Sequence, residues 1–248
     1  MRLNNKVCII TGAAQGFGEG IARLFAAEGA KVVVADLNGE KAEQVAKTIG
    51  ANAIACTVDV STGDQFQAMV DRCMEAFGDL DTIVNNAGTT HRNQPLLDVD
   101  EAAFDRVFAV NVKSIYHSAQ SCVPVFRKRG GGNIINIAST AGLRPRPGLV
   151  WYNSSKGAVI TMTKAMAIEL AVDQIRVNAL CPVAGETPLL KDFMGQDTPE
   201  MRAKFVASIP LGRLSTPADI AKAALHFASD DADFLTGVCL EVDGGRCI

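Results

Sequence analysis

The chain has 248 residues, 48% of them hydrophobic and 21% charged, with a net charge of −3. This is the profile of one globular α/β unit, and the charge excludes a global positive field that would draw nucleic acid or an anionic membrane surface. No stretch carries the ~20 continuous apolar residues of a membrane helix. Residues 1–5 (MRLNN) open no signal-peptide pattern. The seven cysteines are scattered and without a CxxC pair, which argues against a disulfide framework or a metal site and fits a reducing cytoplasm.

Short apolar runs alternate with longer amphipathic ones. Residues 6–11 (KVCIIT) read as a buried strand. Residues 16–28 follow as a helix with Ile21, Leu24 and Phe25 on one face. Strands are expected at 31–36 and 53–58, helices at 40–49 and 63–77, and a fourth strand at 81–85 (DTIVN). Two helical stretches are expected at about 101–118 and 119–129, then a strand at 133–138 (NIINIA) and a long helix at 152–171. A strand at 175–180, a helix at 217–228 and a last strand at 238–242 complete the pattern. Strands this apolar are buried on both faces, and strict β-α alternation gives right-handed crossovers. The expected fold is a single-domain, doubly wound parallel sheet of Rossmann-like type, with helices on both faces, spanning residues 1–248. The stretch 184–209 lacks an apolar strand and carries Pro188, Gly195 and Pro199. It reads as a substrate lid or a plain surface connection, and its place after a strand's carboxyl end favours the lid.

Thr11-Gly12-Ala13-Ala14-Gln15-Gly16-Phe17-Gly18 lies between the first strand and the first helix. Glycines there let the chain turn tightly and approach a pyrophosphate, which the helix N-terminus attracts. Asp36 closes the second strand, where a carboxylate accepts hydrogen bonds from ribose hydroxyls and repels a 2′-phosphate. Neither Gln15 nor Leu37 is a base that would neutralise such a phosphate, so NAD(H) is expected over NADP(H). Tyr152 and Lys156 stand four apart on a helix and share one face. An ammonium about 5 Å from the phenol would stabilise the phenolate by roughly 3 kcal/mol, or about two pKa units, making the tyrosine a usable general acid/base.

The GxxxGxG spacing, the Asn85-Asn86-Ala87-Gly88 run and Tyr152-xxx-Lys156 together resemble the short-chain dehydrogenase/reductase family over nearly the whole chain. The resemblance implies hydride transfer between NAD(H) and a secondary alcohol or ketone. Gly12, Gln15, Gly16, Phe17 and Gly18 would hold the dinucleotide, with Asp36 and Leu37 at the adenosine ribose. It places Asp59 at the adenine amino group, Val60 on the ring, and Asn86, Ala87 and Gly88 behind the ribose. It gives Ser139 the substrate oxygen, and Lys156 the nicotinamide ribose. Asn111 would bend its helix and hold a water that links the lysine to solvent. Pro182, Val183, Gly185 and Thr187 would surround the nicotinamide, although this stretch departs from the family pattern: Val183 stands where glycine is usual and Gly185 where an aliphatic residue is usual. The resemblance also implies a homotetramer.

His91, Arg92, Arg144, Arg146 and Glu186 are read as solvated or bridging groups, some of which could line a substrate pocket, and Trp151 as packing. No metal is expected, since no HExxH or other ligand cluster occurs. Two other functions fit the same residues: a 3-oxoacyl-thioester (acyl carrier protein) reductase, and a non-catalytic nucleotide-sensing protein.

Overall fold

The computed structural model describes residues 1–248. One sheet holds seven strands: β1 (Val7–Thr11), β2 (Lys31–Asp36), β3 (Ala53–Thr57), β4 (Thr82–Asn85), β5 (Gly132–Ile137), β6 (Ile175–Pro182) and β7 (Cys239–Val242). The helices in chain order are α1 (Gly16–Ala27), α2 (Gly39–Ile49), α3 (Gly63–Phe77), α4 (Glu101–Phe108), α5 (Ser114–Arg129), α6 (Val150–Leu170), α7 (Leu190–Met194), α8 (Pro199–Ala207) and α9 (Pro217–Ala228). Every strand pairing is parallel, in the order β3-β2-β1-β4-β5-β6-β7. The expected doubly wound architecture is therefore the observed one.

The two-residue period of each strand divides the core into two layers. Cys8 and Ile10 of β1, with Val32 and Val34 of β2, pack against α1, α2 and α9. Val7 and Ile9, with Val33 and Ala35, face the other way onto α3, α5 and α6. The α1–α9 contact is close enough that a Cβ on Gly20 would lie 2.8 Å from Pro217 Cβ. The strand order reverses between β1 and β4, and the crevice at their carboxyl ends is where an open α/β sheet takes a ligand.

Most boundaries fall within two residues of expectation, but two segments differ. The helix expected over 101–118 is broken by a π-helical turn, Ala109–Lys113. Asn111 at its centre donates from Nδ2 to the Thr89 carbonyl (2.9 Å) and accepts from the Thr89 N–H at Oδ1 (2.8 Å). That tether draws the backbone out of the regular ladder, as single π turns at functional positions do. The second difference is the stretch 184–209, which contains α7 and α8 rather than open loop. Pro199 is the first residue of α8, where its missing N–H costs nothing. Thr198 caps that helix by accepting from the Met201 N–H.

Candidate active site

A cleft of about 550 Å³ opens at the carboxyl ends of the strands. The turn after β1 forms its floor. Gly12 and Gly16 have φ of +63° and +61°, a left-handed backbone that glycine adopts without strain. Gly18 is fixed by space instead: a Cβ there would meet the Gly12 carbonyl oxygen at 2.2 Å and Asn86 Nδ2 at 2.4 Å. Asn86 Nδ2 donates to the carbonyls of Thr11 (2.8 Å) and Gly12 (3.0 Å), so the segment after β4 ties down the turn after β1. Gln15 occupies the N-cap of α1 but makes no side-chain capping bond. The first N–H groups of α1 are thus left for another acceptor. This open, glycine-lined helix end fits a dinucleotide pyrophosphate.

Asp36 stands on the cleft wall at the end of β2. Its Oδ2 accepts from the Ala14 N–H (3.0 Å) and its Oδ1 from the Asn38 N–H (2.9 Å). The carboxylate therefore braces the turn as well as facing the cleft. Leu37 beside it is exposed. Asp59 holds the Ser61 N–H and hydroxyl on Oδ1, and Val60 is buried against the cleft with Ala87 and Gly88 nearby.

At the other end, Ser139, Tyr152 and Lys156 line the same space. Ser139 Oγ accepts from the Ala141 N–H (3.1 Å). Lys156 Nζ donates to the Ile137 carbonyl (2.8 Å) and lies 5.9 Å from the centre of the Tyr152 ring. A Cβ on Gly88 would sit 3.4 Å from Asn111 Oδ1 and 3.5 Å from Lys156 Nζ, so these two polar groups flank Gly88. Asn111 is buried behind the wall and also donates to Ser155 Oγ (3.0 Å).

The expected acidification of the phenol is not met in the protein alone. Burial pushes Tyr152 up to about 12, with the Ser139 side chain pulling the other way, and Lys156 is not among the groups that act on it. Both partners have left water, and desolvation of the charged forms outweighs an attraction across that distance. Burial also pushes Lys156 down to about 8, so it remains mainly protonated at neutral pH.

A buried ammonium with a depressed pKa lowers stability wherever the unfolded chain would hold the proton more tightly. Lys156→Met is therefore expected to gain of order 2 kcal/mol at pH 7 after the lost bond to Ile137 is subtracted. This would raise Tm by about 4 °C while turnover is lost. The sign follows from the two values. The penalty is complete below pH 8 or so and fades as pH rises towards the ordinary lysine value of 10.5. Melting curves of both proteins at pH 7 and pH 10.5 check it, and a gap that does not close at the higher pH would contradict the cause given.

Pro182 at the end of β6, and Val183, Gly185 and Thr187 after it, lie along the cleft. Gly185 has no room for a side chain, since a Cβ would lie 2.3 Å from Phe17 Cζ and 2.7 Å from Ser215 Oγ. Thr187 Cγ2 would touch a Cβ on Gly16 at 3.3 Å. All the residues expected to take part in catalysis or dinucleotide binding thus line the cleft except Gly18 and Asn111, which support it from behind.

Several wall residues were not anticipated. Arg106 and Val110 come from α4 and the π turn, and Leu190, Asp192 and Phe193 from α7. Arg106 and Val110 are four apart, the spacing that puts two side chains on one helical face. Leu190 and Phe193 carry the same signal at three apart. Phe193 meets the Tyr152 ring edge-on at 5.4 Å and Phe205 of α8 at 6.0 Å. Trp151 packs edge-on against Phe104 (5.2 Å), as expected of a packing residue. Of the groups considered for a substrate pocket, His91, Arg92, Arg144, Arg146 and Glu186 do not line this cleft.

Comparison with known proteins agrees with this geometry. A family model described as "Enoyl-(Acyl carrier protein) reductase" matches residues 12–246. The chain is 52% identical to the 4-formylbenzenesulfonate dehydrogenase of Comamonas testosteroni, over the full length of both. It is 41% identical to the galactitol 2-dehydrogenase of Agrobacterium fabrum, over 99% of each. Among solved structures, the 3-ketoacyl-(acyl-carrier-protein) reductase of Brucella melitensis complexed with NADH superimposes with a TM-score of 0.94 at 48% identity, covering 99% of this chain and 100% of that one.

Proposed function

The chain belongs to the short-chain dehydrogenase/reductase family, and from that membership we propose that Tyr152 exchanges a proton with the oxygen of a secondary alcohol or ketone while NAD(H) exchanges the hydride. The protein is an NAD(H)-dependent oxidoreductase acting on CH–OH groups. One observation carries the residue assignment: Ser139, Tyr152 and Lys156 line the same cleft as the uncapped glycine turn.

When bound, the dinucleotide supplies the two-electron hydride chemistry, and its oxidised ring adds a positive charge near the phenol. The protein supplies position and charge. Ser139 orients the substrate oxygen. Tyr152 donates its proton to that oxygen on reduction and removes it on oxidation. Lys156 holds a positive charge behind the phenol and binds ribose hydroxyls, and Asn111 positions the lysine side of the site through its Thr89 and Ser155 bonds. Gly12, Gln15, Gly16, Phe17, Asp36, Leu37, Asp59, Val60, Asn86, Ala87 and Gly88 would hold the dinucleotide, with Gly18 keeping the turn in shape from behind, and Pro182, Val183, Gly185 and Thr187 would hold its nicotinamide end. Leu190 and Phe193 cover the reacting end and exclude water. On this reading residues 1–248 act as one dinucleotide-binding domain with 184–209 as its substrate lid.

The carboxylate of Asp36 on the ribose side sets the cofactor. Because Asp36 also braces the turn, the wild-type protein is the better test. A panel of secondary alcohols, a polyol, an aryl aldehyde and acetoacetyl-CoA, followed at the NADH absorbance band, is expected to turn over with NAD(H) at least about 100-fold more efficiently than with NADP(H), a difference of about 2.7 kcal/mol. Equal efficiency with both would remove the assignment of Asp36. Preference for the thioester would favour the acyl-reductase reading, and binding without turnover on any substrate the nucleotide-sensing one.

The same reading makes the enzyme a cytoplasmic homotetramer. Seven free cysteines support the compartment. Exposed apolar side chains at Ile168, Val172, Phe234 and Ile248, each more than 80% exposed, support burial against other copies. Light scattering is expected to give four chains, and removal of residues 244–248 to lower that mass.

A further inference from the structure

A second opening, of about 640 Å³, lies outside the catalytic cleft. It is bounded by residues 93–95, residues 145–148, Phe205 and Arg246. Arg146 stacks over the Phe205 ring at 4.3 Å and donates to Ser208 Oγ at 3.4 Å. Arg144 donates to the Arg246 carbonyl at 2.6 Å, which brings a third guanidinium to the same place. The Arg246 Nε is buried and has no acceptor.

None of these three arginines takes part in an ion pair; every ion pair of the chain lies elsewhere. No acidic side chain lines the opening. Asp243, close by in sequence, is already engaged by the N–H groups of Gly245 and Cys247. Burial, and then repulsion from Arg246 and Arg144, push Arg146 down to about 10. Like charges gathered without a counterion, one of them with an orphaned buried donor, are costly to hold together.

We propose that this opening is a binding site for the oxyanion of a small molecule, a sulfonate, phosphate or carboxylate held between Arg146 and Arg246. Planar guanidinium forks match the geometry of such groups. An oxyanion here accepts from the guanidinium N–H groups that line the opening and relieves the repulsion among the arginines. It also sits two aromatic rings from the chemistry. Phe205 meets Phe193, and Phe193 meets Tyr152. Asn93, on the rim, donates from its backbone to the Asp192 carbonyl at 3.0 Å. Occupancy therefore steadies the aromatic stack over the tyrosine.

The test uses the NADH-loaded protein, so that the glycine turn is not the anion site being read. Sodium sulfate is compared with sodium chloride at equal ionic strength in thermal unfolding. Sulfate is expected to raise the Tm of wild type about 3 °C more than it raises that of Arg246→Gln. The general salting-out effect of sulfate is common to both proteins and cancels. Arg146→Met is expected to behave like Arg246→Gln; should it fail to fold for loss of its Phe205 contact, Arg246→Gln alone decides. Equal shifts in wild type and Arg246→Gln would overturn the proposal. A second arm separates two sources of the anion, using an alcohol substrate with and without a carboxylate. A KM raised about tenfold in Arg246→Gln for the carboxylated alcohol alone assigns the anion to the substrate. Unchanged KM values, with the sulfate difference intact, assign it to a free effector.

Discussion

Tyr152→Phe is expected to lower kcat by about a thousandfold, within the range that a positioned general acid/base contributes, while NADH affinity changes less than about twofold. The substitution removes one oxygen and leaves the ring. Its edge-on contact with Phe193 and its place in the cluster with Leu149, Val183 and Leu214 are kept. The unperturbed hydroxyl would be a poor acid, and burial makes it a poorer one, at about 12. The proton can therefore move at useful speed only when charge develops on the substrate oxygen beside it. Without the hydroxyl, water would have to reach an oxygen covered by Leu190 and Phe193. Steady-state kinetics with a fluorescence titration of NADH separate the two effects. Normal turnover in the variant would end the proposed mechanism.

Gly18→Ala is expected to weaken dinucleotide binding about a hundredfold, which is about 2.7 kcal/mol. The added carbon would lie 2.2 Å from the Gly12 carbonyl oxygen, a backbone atom that cannot swing aside. Relief requires α1 to move away from the turn or Asn86 to give up its bonds to Thr11 and Gly12. Overpacking of this kind costs about 1–3 kcal/mol, and here the cost falls on the N–H groups that would face the pyrophosphate. The helix content in circular dichroism should be kept and the Tm lowered. An unchanged NADH dissociation constant would show that the turn is not part of the binding surface.

The local signals in the sequence were strong where one chain segment decides the outcome. The strand–turn–helix after β1 reads directly from KVCIIT and the glycine spacing. The helical register of Tyr152 and Lys156 follows from their separation of four. The two-sided core follows from the continuous apolar runs of β1 and β2. What could not be read depends on partners distant in the chain. The π turn at Asn111 exists because Thr89 holds that side chain; a bend there was expected from the family resemblance, while Ala-Val-Asn-Val-Lys alone does not announce it. Helices α7 and α8 are short and bury one side on Tyr152 and its neighbours, so their apolar periodicity is too brief to stand out. The phenol was misjudged for the same reason. Spacing along a helix gives the distance to Lys156, but the burial that outweighs it comes from segments distant in the chain, α7 among them, packed around the site.

The crossing from β1 to β4 has a consequence for how the protein holds together. Thr11 and Asn86 are 75 positions apart, yet Asn86 clasps the carbonyls of the first turn. The glycine turn, shaped within the first half of the sheet, is thus also tied to the second half and forms a seam between them. Any occupant of the seam fastens both halves at once, so its binding energy reaches the whole molecule: about 2.7 kcal/mol against unfolding at a hundred times the dissociation constant. Such a chain would draw part of its working stability from the nucleotide pool around it.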